Sequence, residues 1–167
     1  MKRIFKILPI FLITVGLIYL GCNSSSKNQL EKNKNLIRRM LWEMDKQNWT
    51  IIRELYAPNF LYHQPGSTKP LSRDEFEKLI RMIYTAFPDG TQQIEDIVAE
   101  CDKVVARLIL KGTHRADFMG IAATGREVIQ SDIIIFCIID GKITEAWEEC
   151  DMLNVMQQLG TAPPPGK

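Results

Sequence analysis

Histidine and cysteine are scarce in this chain of 167 residues, which has two of the first and four of the second. The histidines, His63 and His114, stand far apart, and no two cysteines form a C-x-x-C pair. Zinc-type ligand spacing is therefore absent. So are a phosphate-cradling loop, a dinucleotide fingerprint and a G-x-S-x-G nucleophile elbow. Charge of one sign is lacking too: 21 basic residues face 20 acidic ones, for a net +1. That balance carries no electrostatic footprint for nucleic acid. There are no internal repeats, and the length allows one domain with extensions.

What is present begins with a leader. MKRIFK is a basic stretch, and residues 7 to 21, ILPIFLITVGLIYLG, form an apolar run. The run is shorter than the roughly 20 residues a bilayer-spanning helix needs, and it fits a signal-peptide core. Its end, Leu20-Gly21-Cys22, resembles a bacterial lipobox, with Tyr19 where an aliphatic residue is usual. Cys22 is the expected lipidation site. The expected organisation is a signal peptide over 1–21, a flexible tether over 22–29, a domain over 30–160 and a disordered tail over 161–167. The expected location is the outside face of a bacterial membrane, held by lipid. Asn23 differs from the Asp signal for inner-membrane retention, which favours the outer membrane. Without the leader's Lys2, Arg3 and Lys6 the chain keeps 18 basic residues against 20 acidic ones.

The domain starts with helical periodicity. Leu36, Ile37, Met40, Leu41 and Met44 share one face of a first helix. A second, short helix follows Asn48-Trp49-Thr50 and stops at Ala57-Pro58. Phe60, Tyr62 and His63 form a short extended piece. Ser72-Arg73-Asp74-Glu75 is a capping box that opens a third helix with Phe76, Leu79, Ile80, Ile83 and Tyr84 inward. The period then changes to two. Residues 92–100, 103–118, 127–139 and 142–149 read as strands, with Asp140-Gly141 as a hairpin turn. A short helix over 152–158 closes the pattern. Helices followed by a four-stranded antiparallel sheet define an α+β domain, and a curved sheet around helices encloses a pocket.

Strand parity places His114 on the inner face, with Ala106, Leu108 and Leu110. It is either a pocket group or a core histidine bonded to a backbone carbonyl. Glu148 shares parity with Thr144 and Ala146, and Trp147 with Ile143, Glu145 and Glu149. Parity leaves open which of these two sets faces inward. Cys101, Cys137 and Cys150 read as free structural cysteines.

GTHRADFMGIAATGRE and DGKITEAWEECDMLNVMQQLG resemble the SnoaL-like polyketide cyclase, or ester cyclase, family. Its pattern there runs approximately GTHxGxFxGxPPTGR and DGKIxExWxxxDxxxLxxQLG. The segment LYAPNFLYHQPG is similar to the family's stretch after its second helix. The likeness spans roughly residues 33 to 160. It implies an NTF2-like cone with one pocket. It also implies aldol-type ring closure in which a carboxylate moves a proton, with no metal and no cofactor. That chemistry needs an acid–base group of tuned pKa and donors for the enolate oxygen.

The candidate catalytic residues are therefore His114, Glu148, Asp151 and His63. Phe118, Trp147, Asp132 and Leu110 are candidate substrate contacts. The chain departs from the family pattern at Ile134 and Ala146, where polar residues are usual, and at Ala122-Ala123 in place of Pro-Pro. Those losses make a non-catalytic binding module the alternative to an enzyme. A small hydrophobic molecule is the expected ligand, the membrane is reached through the lipid, and a homodimer could form on the sheet's outer face. A lipid anchor argues against a soluble pathway role, so a polyketide intermediate is not the expected literal substrate. If Cys22 carries the anchor, Cys22→Ser moves the chain from the membrane fraction to the soluble fraction. Retention as an integral membrane protein would instead mark an uncleaved helix.

Overall fold

The computed structural model describes residues 11–163, with side chains from Ser26 onward. The first ten residues of the leader and the last four of the tail lie outside the described residues, as does the side chain of Cys22. Helix α1, Phe11–Asp45, runs without a break through the stretch expected to be a tether. Residues 26–29 are exposed, so that part of the helix packs on nothing. No helix among the described residues is long and apolar enough to cross a membrane.

The remaining elements are α2 (Thr50–Leu55), β1 (Tyr56–His63), β2 (Leu71–Ser72), α3 (Arg73–Ala86), β3 (Thr91–Glu100), β4 (Lys103–Thr113), β5 (Glu127–Ile139), β6 (Lys142–Cys150) and α4 (Met152–Leu159). The four long strands lie where the period-two pattern predicts them, except that β4 ends at Thr113 and not at 118. The sheet is larger than that pattern shows: six strands in the order β2-β1-β6-β5-β4-β3. The extended piece at Phe60 to His63 is the end of β1, which pairs parallel with β6. A parallel partner lies far away in sequence and leaves no local turn signal to read.

Local chemistry fixes the ends. Ser72 caps α3 by accepting from the Glu75 backbone N–H, while the Glu75 carboxylate accepts from the Ser72 N–H. Asp140 and Gly141 both have positive φ, 50° and 72°, the geometry a two-residue hairpin of this twist requires. Gly112 sits where a Cβ would come within 3.1 Å of the Phe87 Cβ, so the chain passes close under that ring.

Helix α1 presents Ile37, Met40, Leu41 and Met44 to the concave face of the sheet, all buried. There they meet Ile51, Ile52, Val104, Ala106 and Leu108. Tyr56, Phe60 and Phe76 form an aromatic knot with centroids 4.7–5.3 Å apart, an arrangement that adds to their area burial. The convex face differs. Leu61, Ile129, Ile133 and Ile135 are exposed there.

Candidate active site

The sheet and the helices leave a cavity of about 310 Å³ between them. Its walls are mostly apolar: Met44 of α1, Phe76 and Ile80 of α3, and Leu110, Ile134 and Phe136 of the sheet among them. From the two adjacent strands β5 and β6, three titratable side chains enter it. Asp132 comes from β5, and Glu148 and Cys150 come from β6. Their oxygen and sulfur atoms lie within 4.8 Å of one another, so the charge on one carboxyl acts on its neighbours.

A bulge in β6 decides which residues point inward. Cys137 pairs with Glu145 and Ile138 pairs with Ile143, so Thr144 is an extra residue against β5. The inward set therefore changes parity at that point. Ile143 faces in before the bulge, and Ala146 and Glu148 face in after it. The Thr144 hydroxyl donates to the Cys137 carbonyl at 3.3 Å.

Glu148 accepts a hydrogen bond of 2.7 Å from the Tyr62 hydroxyl. Burial pushes its carboxyl up to about 7; the charge of Asp132 adds to this and the Tyr62 bond opposes it. Asp132 accepts from the Gln130 amide at 2.7 Å. Burial raises it to about 6, with the Gln130 bond opposing. Cys150 is pushed up to about 12 by burial and then by both carboxyls, so it stays a thiol near neutral pH. Tyr62 is raised by burial and by the Glu148 charge. The site holds two carboxyls of tuned acidity, a phenol bonded to one of them and an uncharged thiol.

Of the candidates read from sequence, Glu148, Asp132, Leu110 and Phe118 line the cavity. Four others do not. His63 lies on the opposite side of the sheet from Tyr62. There its Nε2 bonds the Glu145 carboxylate at 2.7 Å and its ring stacks on Trp147, with centroids 5.1 Å apart. Trp147 shares that outer face, with the Lys103 ammonium 5.0 Å from its ring centre. Glu145 and Trp147 of β6 face outward after the bulge, and His63 of β1 meets them there. Asp151 is the N-cap of α4, exposed, and its carboxylate accepts from the Asn154 N–H at 3.0 Å.

His114 points inward as parity predicts and is fully buried, but one layer behind the cavity. Its ring stacks on Phe87 at 5.3 Å, and Phe87 and Phe118 stand as the cavity wall. The Thr124 N–H donates to Nδ1 at 3.3 Å, and the Thr124 hydroxyl lies 3.1 Å away. That bond puts the ring proton on Nε2, which has no partner among the described residues. Backbone bonds from His114 to Arg126 and from Gly125 to His114 complete the clasp. His114 thus pins the loop that carries Phe118. By sequence Tyr62, opposite in parity to His63, reads as a packing residue; its bond to Glu148 depends on the parallel register with β6.

The molecule is of the class that encloses one small-molecule pocket in a curved sheet and places acid–base groups on its inner strands. Residues 35–159 match the family model for SnoaL-like polyketide cyclases. The chain belongs to that family, and its fold is the family's NTF2-like cone. Aklanonic acid methyl ester cyclase DauD from Streptomyces sp. (strain C5) is 30% identical over 133 residues, covering 75% of this chain and 80% of the relative. Among solved structures, AclR from Streptomyces galilaeus, a candidate hydroxylase, superposes with a TM-score of 0.75 at 26% identity. That match covers 80% of this chain and 99% of AclR. IdmH from Streptomyces antibioticus, a candidate polyketide cyclase, gives 0.71 at 29%, over 77% of this chain and 98% of IdmH.

Two outcomes follow from this geometry. Replacing His114 by Asn removes the Nδ1 acceptor and the stacked ring. Urea unfolding should show a loss of about 1–3 kcal/mol; unchanged stability would mean that the clasp carries nothing. Asp132 and Glu148 bind protons more tightly folded than unfolded, so they favour the fold at low pH. That contribution is lost as pH rises through about 6 and then about 7. The Asp132→Asn/Glu148→Gln double variant should therefore gain stability on the wild type between about pH 4 and pH 8, on the order of 3 kcal/mol for each carboxyl and 6 kcal/mol in all. Parallel stability profiles for the two proteins would refute this.

Proposed function

We propose that the cavity carries out cyclase-type acid–base chemistry on a small hydrophobic carbonyl or ester compound, without a cofactor, with Glu148 as the proton carrier. One observation carries the reading: Glu148 sits in an apolar cavity with its acidity moved to about 7, so both of its forms are populated near neutral pH. The ionised form takes a proton from a carbon made acidic by neighbouring carbonyls. The Tyr62 hydroxyl, 2.7 Å away, steadies that carboxylate. The enolate carbon then attacks a second carbonyl of the same molecule. A C–H bond breaks, a C–C bond forms, and the carbonyl oxygen receives the proton back from Glu148. No electron leaves the substrate.

The relatives support this reading, since DauD and DnrD, the latter from Streptomyces peucetius, both bear the name aklanonic acid methyl ester cyclase. The binding-only alternative drew on the apolar residues at 134 and 146. Asp132 weakens that argument, because it supplies a polar group to the same wall two residues before Ile134.

A test needs only a carbon acid that fits the cavity. A β-keto methyl ester in deuterated buffer should exchange its α-proton faster with the wild-type protein present. Glu148→Gln should slow that exchange by about 100-fold or more. Exchange at the wild-type rate in the variant would take the role away from Glu148. Aklanonic acid methyl ester is the first compound to try for ring closure itself.

A further inference from the structure

The charges on the cavity wall are of one sign. Among the described residues that line it, Asp132 and Glu148 are the acids and Lys111 is the one cation. Lys111 is spent elsewhere: its exposed ammonium pairs with Glu127 of β5 at 3.1 Å. The other titratable groups facing the pair are neutral. Tyr62 and Tyr56 of β1 and Cys150 of β6 are raised by burial, and so is Tyr84 of α3, whose hydroxyl donates to Asp45. Glu149 alternates to the other face of β6 and adds only a distant negative charge.

A ligand carboxylate in this space would lie a few ångströms from two carboxyl groups with no counter-charge. In a medium of low dielectric, like charges at that range repel strongly, or one group must take up a proton. The methyl ester of the same acid has nearly the same shape and meets no such cost. We propose that Asp132 and Glu148 together act as a charge filter. The cavity admits esters and other neutral carbonyl compounds and rejects the corresponding free acids, and Asp132 is the residue that determines this specificity. The inference takes from the acid–base reading that the ligand is a carbonyl compound, and it adds the ligand's charge state.

Calorimetry on the detergent-solubilised full chain with methyl 2-naphthoate and 2-naphthoate reads the filter directly. At about pH 8 the acid should bind roughly tenfold or more weakly than the ester. The gap should narrow near pH 5, where both carboxyls gain protons. Asp132→Asn should close part of the gap, and the Asp132→Asn/Glu148→Gln double variant should close it fully. Retained ester affinity in those variants shows that the cavity is still folded. Equal affinities in the wild type, binding of neither probe, or a gap that persists in the double variant would each overturn the proposal. A failed filter alongside Glu148-dependent proton exchange leaves the acid–base reading standing. Ester selectivity without any exchange sustains the filter and ends that reading.

Discussion

Two carboxyl groups that share one apolar cavity are the constraint on which the rest of the structure depends. Burial sets the acidity of both; the charge of Asp132 then raises Glu148 further, and the Gln130 bond holds Asp132 back. Anything that let water reach Asp132 and Glu148 would return both toward ordinary carboxylates. The helices are therefore part of the chemistry. Met44 of α1 and the Phe76 and Ile80 side chains of α3 keep the site dry from one side. The loop clasped by His114 and Thr124 holds Phe118 as the wall on another. Keeping two acids protonation-ready costs stability, and the packed core around Phe60, Ile52 and Ile143 offsets it.

The family and the fold are narrower statements than the reaction. AclR, a candidate hydroxylase, and IdmH, a candidate cyclase, superpose on this chain almost equally well. A cone with one pocket accepts different chemistries, and the side chains inside it decide among them. Here the polar groups in the pocket include Asp132, Glu148 and Tyr62, an acid on each of two neighbouring strands and a phenol on a third. Ile134 and Ala146, both apolar, shape the wall between those groups.

The sequence made the fold legible wherever the cause was local. Asp140-Gly141 marked its hairpin, Ser72 and Glu75 marked the start of α3, and alternation placed His114 inward. It was silent wherever the cause lay in pairing between distant strands. The extra residue at Thr144 swaps the faces of β6, which is why parity could not choose between Glu148 and Trp147. Tyr62 and His63 had opposite parity, but which of them faced the cavity depended on the parallel register with β6. Asp151 sat in a motif and looked chemical, yet a carboxylate just before a helix satisfies backbone N–H groups first. Asp132, in an apolar strand, was visible as an oddity without a partner. Its partner stands on the next strand, beyond a turn.

The parallel seam between β1 and β6 also orders events in time. Residues 56–63 must wait for residues 142–150 before their strand finds its neighbour, and a loop of that length closes late and slowly. Until then β1 has no β6 beside it, and the phenol of Tyr62 has no carboxylate to hold. On a ribosome, the hydrogen bond at the centre of the site can form only after residues 142–150 have emerged. A product ending before β6 has Asp132 but not Glu148, so the paired carboxyls never meet in it.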